Sequence, residues 1–328
     1  MKLYNVAIVG ASGLVGRKML QVLEERNFPI NNLKLLASER SAGRTMKYRG
    51  NDLLIEKLEA NSFNNVDIAL FSAGSNISKE YSKYAVQSKC IVIDNSSAWR
   101  MTDGIPLIVP EVNSHQLKEH NYIIANPNCS TIQLVVALHP IHKKYGIKRL
   151  VCSTYQSISG AGQKGVDKLM TEISGNEYDS NIKYAYNTAF HSFAGNDFTE
   201  EENKMINEIH KIMEDTQIGI AVTCVRVPTL GGHSESVNLE LEHEYSLEDV
   251  RELLANSDNI VLMDKPQENI YPYPQLSNDK DFVFVGRLRR DNSVENGLYL
   301  WVVADNLRKG AATNAVQIAE KLIELELV

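Results

Sequence analysis

Asn5-Val-Ala-Ile-Val-Gly10-Ala-Ser-Gly13-Leu-Val-Gly16 is the stretch that decides the fold. Five strand-forming residues run into a loop of three glycines, and the helical spacing of Val15 to Glu25 follows at once. The glycines allow a tight turn, a close approach of main chain to phosphate and close helix packing, and the helix start supplies N–H groups for an anion. A glycine pattern alone is weak. Its strand-turn-helix context favours nucleotide binding by Gly10, Ala11, Ser12, Gly13, Leu14 and Val15 over a merely tight turn. Ala37-Ser-Glu-Arg-Ser41 comes about a strand later, where an acid would take the ribose hydroxyl of NAD and an Arg the 2′-phosphate of NADP. Glu39 and Arg40 disagree, but Ser38, Arg40 and Ser41 make the better phosphate cradle, so NADP is expected rather than a bare solvated turn.

Working outward, short β-rich runs alternate with helical patterns: Val66 to Phe71 then Lys79 to Gln87, Ile91 to Ile93, and Tyr122 to Ala125. That alternation predicts βαβ units and a parallel sheet whose carboxyl-end loops, Ser72-Ala73-Gly74 among them, line a ligand crevice. From Lys148 the texture changes to longer β-rich segments: Arg149 to Gln156, Ile218 to Pro228, Ser236 to Glu242, Phe282 to Arg289 and Leu298 to Ala304. The last two flank Asp291-Asn292-Ser293 as a hairpin would, which predicts a mixed or antiparallel second sheet. Lys164 to Lys211 reads as a polar helical excursion, and Ala311 to Leu325 as a final amphipathic helix returning to the first domain. The expected fold is α/β: a Rossmann-type dinucleotide-binding domain (1–128 and 306–328) interrupted by an α+β catalytic and dimerisation domain on a mixed sheet (129–305).

Composition narrows the function. The 328 residues carry 34 Lys+Arg against 41 Asp+Glu, a net charge of -7, with no basic run beyond Arg287, Arg289 and Arg290. Nucleic acid and membrane are therefore not expected as partners. Cys90, Cys129, Cys152 and Cys224 lie far apart without a C-x-x-C pair, so neither a disulfide framework nor a metal is expected, and reduced thiols suit a cytoplasmic protein. Gly10 cuts the apolar run after Lys2 well short of a signal peptide.

Cys129 stands out among the thiols. It lies in Asn126-Pro-Asn-Cys-Ser-Thr-Ile, directly before an apolar-periodic helix, where dipole and unpaired N–H groups favour a thiolate and an oxyanion. Cys90, Cys152 and Cys224 sit in strand-like runs and read as small buried residues. His233, in Leu230-Gly-Gly-His-Ser-Glu-Ser236, reads as a general base of near-neutral pKa on a flexible loop. His139 and His142 have helical spacing but no acidic or Cys partner, so they read as helix surface. Arg226, a charge among apolar residues, needs an anion: a substrate carboxylate or an internal salt bridge. Glu200, Glu201 and Glu202 with Lys204 read as a solvated helix start.

Together with these, Phe71-Ser-Ala-Gly74, Val109-Pro-Glu-Val-Asn113, Thr154-Tyr-Gln-Ser-Ile-Ser-Gly-Ala-Gly162 and Val285-Gly-Arg287 occur in order along essentially the whole chain, and the set resembles bacterial aspartate-semialdehyde dehydrogenase. The resemblance implies reversible, NADP-dependent phosphorylating oxidation of L-aspartate 4-semialdehyde to L-4-aspartyl phosphate, in lysine, diaminopimelate, methionine and threonine biosynthesis. It implies Cys129 as nucleophile, His233 as acid/base catalyst and Gln156 as the residue orienting groups near the thioester. Arg226 would clamp the substrate carboxylate and Glu201 its ammonium, with Asn128 beside the substrate, and Arg100 and Lys204 would hold inorganic phosphate. Ser72, Ala73, Gly74, Ser159, Gly160 and Asn306 would join the cofactor contacts, and a homodimer or tetramer is implied. Between Gly162 and Lys204 the chain is shorter than the family pattern, whose Ile-Pro-Gln/Trp-Ile-Asp stretch is reduced to Phe190-His-Ser-Phe-Ala-Gly-Asn. Competing expectations are an N-acetyl-glutamyl-phosphate reductase-like enzyme, a cysteine hydrolase built on Cys129 and His233, and a non-catalytic dinucleotide sensor.

Overall fold

The computed structural model describes residues 2–178 and 182–328. The chain divides into two compact units, Met1–Asn128 with Ala311–Val328, and Cys129–Gly310.

The first unit carries β1 (Tyr4–Val9), α1 (Leu14–Glu25), β2 (Ile30–Ala37), β3 (Thr45–Tyr48), β4 (Asn51–Lys57), β5 (Ile68–Phe71), α2 (Ser75–Gln87), β6 (Ile91–Asp94), α3 (Pro110–Asn113) and β7 (Ile123–Ala125). The sheet order is β3-β4-β2-β1-β5-β6-β7, parallel throughout except for the β3–β4 hairpin. Alternating strand residues divide two apolar layers. Val6, Ile8, Ile68, Leu70 and Ile93 pack with Met19, Leu20 and Leu23 of α1 and with Ala315, Ile318 and Leu322 near the C-terminus. Ala7, Val9, Ala69, Phe71 and Val92 pack on the other face with Phe63 and Ala85. Helices on both faces explain why these strands read as continuous apolar runs. Because β2 lies on one side of β1 and β5 on the other, the strand order reverses at β1, the position where ligands bind in such sheets.

Two details depart from the sequence reading. β2, β3 and β4 had no counterpart in it, and the final helix is not continuous from Ala311. A π-helical turn spans Arg308–Ala312 and the α-helix runs from Thr313 to Glu324.

The second unit carries α4 (Cys129–Tyr145), β8 (Ile147–Gln156), α5 (Gly162–Ile173), β9 (Ala189–Phe190), α6 (Glu200–Met213), β10 (Gly219–Arg226), β11 (His233–Leu241), α7 (Leu247–Ala255), β12 (Ile260–Leu262), α8 (Pro274–Ser277), β13 (Val283–Asp291) and β14 (Gly297–Ala304). Its sheet, in the order β12-β13-β14-β11-β8-β10-β9, is mixed: β8 and β10 are parallel, β11 is antiparallel to β8 and β14, and β13–β14 is the expected hairpin. The excursion after Lys164 is helical only at its ends, in α5 and α6. Gly175 (φ +82°) lies just beyond α5, and the intervening described residues are irregular apart from β9. One face of this sheet stays half-exposed within the chain, with Val151, Ser153 and Tyr155 beside Ser236, Asn238 and Trp301.

Candidate active site

In the first unit, the site is made of main chain. Gly10 has φ +85°, and a Cβ there would stand 2.8 Å from the Ser72 carbonyl oxygen, so the loops after β1 and β5 meet only because Gly10 lacks a side chain. A Cβ on Gly16 would fall 2.2 Å from the Gly10 oxygen, which places α1 tightly against the turn. The first turn of α1 holds no acid and its Gly13 cap uses no side chain, so its N–H groups suit an incoming phosphate. Ser12 Oγ donates to Ser41 Oγ at 3.1 Å, joining this turn to the end of β2. At that end Arg40 is exposed, while Glu39 pairs with Lys57 at 3.3 Å. These residues fit a nicotinamide dinucleotide, with Glu39 already engaged by Lys57 and Arg40 open to solvent. Arg100 is buried in the same unit, its Nε donating to the Asn126 oxygen at 3.0 Å and its Nη2 to the Asn95 oxygen at 2.9 Å, which ties together the loops after β6 and β7. Asn128 is also buried.

The second unit contributes side chains. Cys129 is the first residue of α4, whose first turn contains no acid, so nothing opposes negative charge on sulfur at the positive end of the helix. Its Sγ lies 3.2 Å from His233 Nε2. Burial pushes the thiols of Cys90, Cys152 and Cys224 up and away from reactivity. His233 is not on a flexible loop. Gly232 (φ +73°) turns the chain directly into β11, and His233 opens that strand with 0% exposure. Burial foremost, with the Arg226 charge, pushes its pKa down to about 3, below the near-neutral value expected for a base on an open loop. The Ser157 main-chain N–H donates to Nδ1 at 3.0 Å, and Ser157 Oγ lies 3.2 Å from the same atom. A nitrogen that accepts an N–H bears its lone pair there, so the neutral ring carries its hydrogen on Nε2, facing the sulfur.

Arg226 Nη1 donates to the Ser157 oxygen at 3.2 Å, and no carboxylate among the described residues pairs with it, so the internal salt bridge is not what holds this charge. Gly160 lies against the same group, where a Cβ would stand 3.0 Å from Arg226 Nη1 and 3.3 Å from His233 Nε2. Glu201 is buried rather than solvated. Thr199 caps α6 in a reciprocal capping box with Glu202, and Glu201 accepts from Gln156 Nε2 at 3.2 Å and pairs with Lys204 at 3.5 Å. Gln156 Nε2 also reaches Thr154 Oγ1, while its buried Oε1 has no partner. Ser159 and Asn306 are buried in mutual hydrogen bonds, and Asn306 Oδ1 accepts from Ser157 Oγ.

Sequence reasoning missed Ser157, which fixes the histidine tautomer, and His191. Both ring nitrogens of His191 are buried without partners, and burial followed by Arg226 lowers its pKa. Ser157 directly follows Gln156 in a motif already singled out, whereas nothing local marks His191.

Known proteins identify the family. Residues 5–120 match the family model described as semialdehyde dehydrogenase, NAD binding domain, and residues 138–309 its dimerisation domain. The chain is 51% identical to aspartate-semialdehyde dehydrogenase of Aquifex aeolicus and 47% identical to that of Bacillus subtilis, over 99% of each chain. Among solved structures it is similar to Vibrio cholerae aspartate semialdehyde dehydrogenase II complexed with ASA, at 44% identity and TM-score 0.95, covering 99% of both chains. These relatives support the dehydrogenase and not the N-acetyl-glutamyl-phosphate reductase-like reading. With both family domains present in order and half of its residues shared over the full length of a relative, the chain belongs to the aspartate-semialdehyde dehydrogenases, NAD(P)-dependent oxidoreductases of amino-acid biosynthesis.

Proposed function

We propose that the enzyme uses NADP and inorganic phosphate to convert L-aspartate 4-semialdehyde reversibly into L-4-aspartyl phosphate through a thioester on Cys129. The observation that carries this reading is Sγ at a helix start, 3.2 Å from an imidazole Nε2. The Cys129 thiolate adds to the aldehyde carbon, and the carbonyl electron pair moves onto oxygen. His233, the acid/base residue, meets that oxygen with Nε2–H, the tautomer that Ser157 favours, and so acts first as a donor that stabilises the alkoxide. The nicotinamide supplies a hydride acceptor. As hydride leaves carbon with its electron pair, the carbonyl re-forms as a thioester. A phosphate oxygen then attacks, the C–S bond breaks and the thiolate is regenerated.

Arg226 binds the substrate carboxylate, a role supported by its lack of a carboxylate partner among the described residues. Glu201 takes the ammonium, Gln156 orients the acyl group, and Asn128 completes the substrate contacts. Arg100 and Lys204 are the phosphate ligands, and a dianion held close explains why phosphate outcompetes water. NADP contacts fall to Gly10, Ala11, Ser12, Gly13, Leu14, Val15, Ser38, Arg40, Ser41, Ser72, Ala73, Gly74, Ser159, Gly160 and Asn306, with the first unit as the cofactor-binding domain and the second as the catalytic and dimerisation domain. The dimerisation-domain match and the half-exposed sheet face around Tyr155 and Trp301, which a second copy would cover, support a homodimer, with a tetramer as its further association. Four free cysteines suit the cytoplasm.

The test is absorbance of NADPH with aspartate semialdehyde, NADP and phosphate, repeated with Cys129→Ala. Phosphate-dependent reduction by the parent and none by the variant is expected. Reduction without phosphate, or undiminished reduction by the variant, would sink the reading.

A further inference from the structure

Glu235 is a buried acid for which the reaction has no use. It lies on β11 two residues after His233, and so on the same face of the strand, with 0% exposure. Neither carboxyl oxygen has a hydrogen-bond partner. The carboxamide of Gln133 faces it, and Gln133 Oε1 is itself buried and unpartnered. Gln133 lies one helical turn beyond Cys129 on α4, and its Nε2 donates to the main-chain oxygen of His233 at 3.4 Å. A fully buried carboxylate with no partner on either oxygen is costly unless it carries a proton, and of the two neighbouring side chains only the acid can take one, since an amide oxygen cannot.

We infer that Glu235 is a protonated carboxylic acid that donates its O–H to Gln133 Oε1, so that Gln133 holds the His233 carbonyl and sets β11 against the helix that begins at Cys129. That single hydrogen satisfies Gln133 Oε1 and occupies one of the two carboxyl oxygens. The strand bearing Nε2 becomes joined to the helix bearing Sγ by a chain of neutral groups. Burial raises the Glu235 pKa well above its ordinary value, outweighing the opposite pull of the neighbouring Gln133 amide, in keeping with a neutral acid. The titratable groups that feel it are the thiols of Cys152 on β8 and Cys224 on β10, which burial also keeps neutral. Glu235 and Gln133 are thus positioning residues that act through His233, and the inference rests on the Cys129–His233 reading above.

Glu235→Gln copies the shape and donor of the neutral acid, whereas Glu235→Leu removes the link. Infrared difference spectra of folded parent and Glu235→Gln at neutral pH are expected to show loss of a carboxylic-acid C=O stretch. Glu235→Gln should keep kcat and the pH profile of Cys129 alkylation by iodoacetamide. Glu235→Leu should lower kcat about tenfold or more with KM for aspartate semialdehyde nearly unchanged, and shift that profile. Loss of a carboxylate band instead, Glu235→Gln as impaired as Glu235→Leu, or Glu235→Leu indistinguishable from the parent would each overturn the inference. If Glu235→Leu does not fold, the spectra and the Glu235→Gln kinetics still decide. Spectra and alkylation need no turnover, so a parent that fails to reduce NADP would refute the proposed reaction and leave this inference separately judged.

Discussion

The two units build their sites from different materials. The nucleotide loop is a matter of missing side chains, since Gly10 and Gly16 let main chain approach main chain and leave a helix start uncapped. The chemical site is the reverse, a set of side chains held by other side chains: Cys129 by His233, His233 by Ser157, Glu201 by Gln156. A site of main chain tolerates almost no added atom yet accepts varied side chains around it. A site of side chains depends on identities and protonation states, so substitutions should separate the two cleanly.

The largest separation is expected from Cys129→Ala, which should lower kcat at least roughly 10⁴-fold while NADPH binding, followed by fluorescence titration, stays at the parent value. Lost cofactor affinity would mean the sites are not independent. His233→Asn should lower kcat about 10²- to 10⁴-fold, the range for a proton-handling group, with little change in KM. If KM rises and kcat holds, His233 binds substrate rather than stabilising the alkoxide. Gly10→Ala should show the opposite pattern. Its Cβ would meet the Ser72 oxygen at 2.8 Å in a left-handed backbone, at a cost of about 1–3 kcal/mol, so cofactor affinity and melting temperature should fall while iodoacetamide still alkylates Cys129 at the parent rate.

Acid should act on the second unit through His233. Its folded pKa of about 3 lies below the ordinary value near 6.5, so the unfolded chain binds more protons in between, and stability is lost as pH falls through that window. The loss should amount to about 2 kcal/mol at pH 5, and His233→Asn should abolish that share of the melting-temperature drop between pH 7 and pH 5. An unchanged drop would mean that other groups drive it. The smallest effect belongs to Arg40→Ala, which should raise KM for NADP about tenfold and leave KM for NAD alone, because exposed ion pairs are weak. Equal effects on both cofactors would show that Arg40 does not read the 2′-phosphate.

Legibility in the sequence followed the same division. The strand-turn-helix from Asn5 to Glu25 is contiguous, so its glycines and apolar spacing could be read without knowing the fold. β2 and β4 were not legible, because Asn31, Asn32, Asn51, Asp52 and Glu56 are exposed edge-side residues that blur the apolar run. The Gly231-Gly232 pair suggested a loop around His233, and only pairing with Tyr155 and Ala304, distant in sequence, shows that the chain is already a buried strand there. Ser157 and Gln133 act on His233 across 76 and 100 residues, a separation no local pattern can signal. The acids at Glu201 and Glu202 illustrate the limit in another way: helix-start chemistry was visible, but burial was not.

The second unit begins at Cys129 and ends at Gly310, and these ends touch: a Cβ on Gly310 would stand 3.0 Å from that of Cys129. A segment whose entry and exit coincide can be inserted into, or lifted out of, a host loop without stretching either. On the proposed reaction, the nucleophile is thus the first residue of a segment whose two ends meet, and Gly310 at the exit is held to a bare main chain by the thiol residue at the entry.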